Sequence, residues 1–138
     1  MALLDSVAVV SHVVFGGLWT GAVVFTALLA GGLASDTASA LSDLVVDRLR
    51  LVSRSSAVIT LLSGGYMATG YSHSYFTSST RGLLLSTMVV LWLVLMVTVE
   101  IGASRVLDDQ KSGRTILGVA GIVALLLLLD VGLLVAGI

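Results

Sequence analysis

An imidazole and a carboxylate stand inside stretches that otherwise hold almost no charge: His12 in the first long apolar run and Asp130 in the last. Imidazole ligates haem iron and copper and titrates near neutral pH, and a neighbouring carboxylate can fix the orientation of such a ring. A third ionisable group, Glu100, lies in another apolar run. Such groups are costly in a bilayer, so each marks either a functional site or a buried pair. Met67, Met88 and Met96 add thioethers that suit Cu(I) or a His/Met haem, although methionine also fills gaps in ordinary apolar cores. His73 falls among Tyr71, Ser72, Ser74 and Tyr75, a setting that favours solvation over capping a metal or haem.

Spacing groups these residues further. Asp5, His12, Trp19 and Thr26 recur every seven positions, near two helical turns each, and predict one polar stripe facing a bundle interior. His12 and Asp130 each lie about 8 residues from an outer helix end, so at 1.5 Å per residue both are expected roughly 12 Å deep. Tyr66, Met67, Met88 and Trp92 fall in the same layer. Two readings of His12 follow: a ligand or proton-active group, or a structural histidine hydrogen-bonded to a neighbouring helix, with Asp130 as a partner. Glu100 lies near the inner end of its run, where an ion pair with Arg54 or Arg105 is expected.

The elements that must position these residues are membrane helices. Of 138 residues, 57% are hydrophobic and 11% charged, and there is no Pro or Cys. Soluble chains carry roughly 25% charged residues. Four stretches approach the ~20 apolar residues that a transmembrane helix needs. They cover about Leu3 to Leu33, Leu51 to Tyr71, Gly82 to Arg105 and Thr115 to Ile138, with Ser35 to Ser39 capping the second helix and Asp108 to Gly113 a turn. The expected fold is all-α: a single polytopic four-transmembrane-helix bundle over residues 1–138. Six of the seven basic residues (Arg48, Arg50, Arg54, Arg105, Lys111 and Arg114) lie in the first and third connections, and only Arg81 lies opposite. The positive-inside rule then puts both termini outside a cell membrane. Gly17 and Gly21, overlapped by Gly16 and Thr20, form a GxxxG that permits close helix packing or a homodimer through helix 1.

Several functions are excluded at this level. Without Cys there is no disulfide, thiolate metal site, iron–sulfur cluster or covalently attached c-type haem. A net charge of −1 gives no footprint for nucleic acid. No glycine-rich phosphate loop follows a strand, and the first run is too long, with no basic start, for a cleaved signal peptide.

The helix 1 sequence Ser11-His12-Val-Val-Phe-Gly16-Gly17-Leu-Trp19-Thr-Gly21-Ala-Val-Val-Phe25 resembles the opening helix of the CopD-like membrane family. The Arg-rich entry to helix 2, its exit at Leu62-Ser-Gly-Gly-Tyr66-Met-Ala-Thr-Gly70, and the overall length are similar too. In layout the chain also resembles membrane protoporphyrinogen oxidase, which has a first-helix His and binds haem. That enzyme's Leu-Pro-Arg element is absent here, and Ser86-Thr87 stands where its Lys would be sought. The resemblance therefore implies the scaffold rather than the oxidase activity.

The expected function is an integral membrane b-type haem protein with an electron-transfer role, serving a membrane redox partner. His12 is the axial ligand, and Trp19, Met67, Met88 and Asp130 are candidate cofactor contacts. One alternative is a copper-handling or permease-like protein in which His12 and the methionines meet Cu(I). Another is a structural subunit of a larger membrane complex, with His12 merely hydrogen-bonded.

Overall fold

The computed structural model describes residues 3–32, 39–108 and 111–137. It contains α1 (Leu3–Gly32), α2 (Ser39–Ala68), the single-turn α3 (Tyr75–Ser78), α4 (Thr80–Leu107) and α5 (Lys111–Ala136). There is no strand among the described residues. The expected capping stretch Ser35 to Ser39 lies outside the described residues except for Ser39, which opens α2. Helix α5 begins at Lys111, four residues before the expected Thr115, and of the expected turn Asp109 and Gln110 lie outside the described residues.

The four long helices form an antiparallel ring. α1 packs on α2 and α5, α4 packs on the same two, and α3 rests on α4. Short connections between long helices impose this up-and-down order. Close approaches fix the register. A Cβ on Gly121 would lie 2.6 Å from that of Ala27, and one on Gly102 would lie 3.0 Å from the Leu117 side chain. α1 thus meets α5, and α5 meets α4, almost backbone to backbone.

Trp19, Val23, Val46, Leu49, Ala57, Leu95, Val99 and Ala103 fill the core together with Leu117, Ala120 and Ala124. Large apolar side chains cover the outside instead of polar ones. Val10, Val14, Phe25, Leu28, Val90, Leu93, Val97, Leu125 and Leu129 are all exposed. A water-soluble bundle places its charges there, so this surface suits a lipid solvent.

Three helices, α1, α4 and α5, are long and apolar enough to cross a membrane. The sequence led to an expectation of four. The difference lies in α2, whose first half carries Asp43, Asp47, Arg48, Arg50 and Arg54. Beyond Arg54 only Ser55 to Ala68 remains helical and uncharged, roughly 21 Å of helix against a hydrocarbon core of roughly 30 Å.

The connection between α2 and α4 is ordered by local chemistry. Ser79, in an extended conformation, accepts a hydrogen bond from the Gly82 N–H at 3.0 Å and caps α4. The Ser86 hydroxyl donates to the Phe76 carbonyl at 3.2 Å and holds α3 down. Tyr71 stacks on Tyr75, with ring centroids 4.8 Å apart, and meets Phe76 edge-on. Aromatic clusters of this kind are common at membrane–water boundaries.

Candidate functional site

His12 is held by α2. Its Nδ1 lies 3.1 Å from the Thr60 carbonyl and 3.1 Å from the Ser63 hydroxyl oxygen. A carbonyl can only accept, so Nδ1 carries the proton and donates. Ser63 donates its own hydroxyl hydrogen to the Ile59 carbonyl at 2.7 Å, which leaves its lone pairs facing the ring. In this tautomer Nε2 bears a lone pair. That nitrogen has no hydrogen-bond partner among the described residues, and it keeps accessible surface.

Packing fixes the ring as firmly as the hydrogen bonds do. Gly64 lies flat against it: a Cβ there would fall 2.8 Å from Cε1 and 3.2 Å from Nδ1. Gly16, one turn along α1, meets Thr60 at 3.8 Å by the same measure. Thr60 joins a third helix to the site, because its hydroxyl accepts from Trp92 Nε1 of α4 at 3.0 Å. Trp92 in turn meets Trp19 edge-to-face, with ring centroids 6.1 Å apart. The layer therefore runs from His12 through Thr60 and Trp92 to Trp19.

The candidate residues divide around this layer. Trp19 is fully buried and belongs to it. Met67 lies one turn beyond Ser63 and Gly64 on the same face of α2, and Met88 lies one turn beyond Trp92 on α4. Both are half-buried, whereas Met96 is exposed. His73 is exposed on the connection between α2 and α3. Among the described residues, no group of three or more His, Asp or Glu side chains converges as a metal site.

Asp130 does not meet His12. No ion pair joins them, and the buried Oδ2 of Asp130 has no hydrogen-bond partner. Register gives the reason. Gly121 faces Ala27; His12 is fifteen residues outward from Ala27, and Asp130 is nine outward from Gly121. The six-residue difference leaves Asp130 about 9 Å deeper than His12, near the level of Trp19. Trp19 Nε1 and the Ser56 hydroxyl are likewise buried without partners. Equal distances from the helix ends suggested a pair because they ignored the stagger between helices.

Polar contacts at the two ends of the bundle frame the site. Outside it, the Tyr66 hydroxyl donates to Asp5 at 3.0 Å and ties α2 to α1. At the other end, Glu100 accepts from Arg54 Nη2 at 2.5 Å, Arg54 Nε at 3.2 Å and Arg50 Nη2 at 2.5 Å. The expected Arg54 pairing is present. Arg105 instead donates to Ser112 at 3.2 Å.

Thr60 and Ser63 were not among the residues singled out from the sequence, whereas Gly64 was expected only as a helix-packing contact. Their signal was available, since Ser53, Ser56, Thr60 and Ser63 recur at helical spacing and are all buried.

No family model, curated protein or solved structure matches the chain.

The geometry makes one substitution informative. Gly64→Ala forces the imidazole to rotate away from Thr60, so nitrogen NMR of labelled protein should change from a single Nδ1–H tautomer to a mixture. An unchanged His12 spectrum would show that the ring is not fixed by this contact.

Proposed function

We propose that the chain is a four-span membrane protein that binds haem b through His12 and transfers electrons to or from a membrane redox partner. The supporting observation is the polarity of the His12 ring, with Nδ1 anchored to the Thr60 carbonyl and Nε2 free. Histidines that ligate metals usually donate their other ring N–H in this way, which fixes the tautomer and increases ligand basicity. Haem supplies one-electron chemistry when bound. The chain's residues orient the ring, exclude water with apolar side chains and present Nε2. The interior is filled by Trp19, Trp92 and the core aliphatic residues, so a haem would be held by residues on the flank of the bundle that carries His12. Met67 and Met88, one turn outward, are candidate contacts there and the donors in the copper alternative. The likeness of helix 1 to the CopD-like family supports the same region as the site.

In this reading α2 is the fourth span. Its shortfall in apolar length is made up by Arg54, which reaches toward the interface, and by Glu100, which neutralises much of the local charge. Both termini lie outside. Self-association takes place on another face of helix 1: Gly17 and Gly21 are exposed, with nothing within 4 Å of an added Cβ. At about 100° per residue they lie roughly 140° and 180° around α1 from His12.

Three measurements test these statements. Protein from a haem-replete host should show a Soret band that shifts on reduction, and His12→Ala should abolish it while helical circular dichroism is retained. Full haem content in that variant would refute the ligand assignment. Colourless protein that retains copper would favour the copper reading, and colourless, metal-free protein would favour a structural subunit. Asp130→Asn should leave haem content unchanged, given its depth. A cysteine introduced by Lys111→Cys should be labelled only from the cytoplasmic side, and external labelling would reverse the topology. Gly17→Leu with Gly21→Leu should weaken self-association in detergent; an unaltered oligomer would exclude this face.

A further inference from the structure

The inner half of α2 carries a groove of about 400 Å³ lined by Leu44, Asp47, Arg48, Arg50, Leu51 and Arg54. Three of its lining residues are arginines and one, Asp47, is acidic; Glu100 lies behind the groove and Asp43 stands one turn of α2 beyond Asp47. Arg50 and Arg54 are held in place by Glu100, yet Arg50 Nε is buried without a hydrogen-bond partner. Arg48 is exposed and makes no hydrogen bond or ion pair with a described residue. Two oriented guanidinium groups and a third free one suit a phosphate, whose oxygens accept paired N–H donors.

The apolar part of the groove narrows the ligand class. Leu44 and Leu51 are 55% and 61% exposed, although they stand beside the arginines. From Leu51 the same face of the helix continues through Val58 and Leu62, both also exposed. A soluble anion would have no use for this track, whereas a molecule with a phosphate head and a hydrocarbon tail matches both parts. The inner ends of the helices are also where the charge bias places the cytoplasmic leaflet, whose anionic lipids attract basic segments.

We propose that this groove binds an anionic phospholipid of the inner leaflet, its phosphate on Arg48, Arg50 and Arg54 and an acyl chain along Leu51, Val58 and Leu62. The proposal rests on the membrane reading and is independent of haem. It assigns α2 a lipid that occupies the boundary where the helix is too charged to meet hydrocarbon directly.

Native mass spectrometry of the full chain in neutral detergent tests this, with dioleoylphosphatidylglycerol and dioleoylphosphatidylcholine supplied in equal amounts. Phosphatidylglycerol should be retained preferentially. Arg48→Gln removes a side chain that is free of intramolecular bonds, and should weaken retention about fivefold. Asp47→Asn should strengthen it, an opposite effect that unfolding cannot mimic. Equal retention of both lipids, or unchanged retention in Arg48→Gln, would overturn the proposal. Displacement of the phosphatidylglycerol by inorganic phosphate would also overturn it, by showing an anion site that makes no use of the chain. Labelling at Lys111→Cys reports membrane insertion separately, so failure here leaves that reading standing.

Discussion

Glu100 joins the most charged helix of the bundle to an apolar one. α4 is otherwise uncharged from Gly82 to Ser104, so its single carboxylate is the obvious anchor there for the arginines of α2. Three hydrogen bonds to one carboxylate fix both the rotation and the height of α2. With the arginines held at one end, the buried face of α2 is the one carrying Ser53, Ser56, Thr60 and Ser63. The side that receives His12 is thus selected by a contact some two to three helical turns away.

The hydroxyls of Thr60 and Ser63 can be buried because each answers first to its own helix. Thr60 donates to the Ser56 carbonyl at 2.8 Å and Ser63 to the Ile59 carbonyl at 2.7 Å. With their hydrogens committed, the oxygens present only lone pairs to neighbouring helices, and the groups that come to meet them are donors: the Trp92 indole and the His12 imidazole. On this part of the polar face the two oxygens become acceptors of fixed direction. The imidazole tautomer follows from this arrangement.

The all-α class, the order of the long helices and the polar stripe of α1 were legible in the sequence, because composition and a seven-residue spacing act within one helix. Asp5, Trp19 and Thr26 do face neighbouring helices, and His12 faces α2. The pairing of Glu100 with Arg54 was legible too, since a carboxylate near the inner end has few other partners. The partner of His12 was not. It depends on the stagger between helices, set by contacts such as that of Gly121 with Ala27, and no feature of a single helix encodes the stagger. Thr60 and Ser63 also read as ordinary hydroxyl residues until the face they share is seen to be buried. Helix α2 shows the opposite limit: its charged half argues against a span, and the carboxylate of another helix is what lets its arginines pack against α4.

The contact between Trp19 and Trp92 has an optical consequence. α1 and α4 stand across the ring from each other, and the only two tryptophans of the chain meet at its centre, nearly perpendicular at 79°. Their transitions are therefore coupled, and the near-ultraviolet circular dichroism of the protein arises largely from one inter-helix geometry rather than from two independent chromophores. The protein carries its own gauge of whether the diagonal of the bundle is closed.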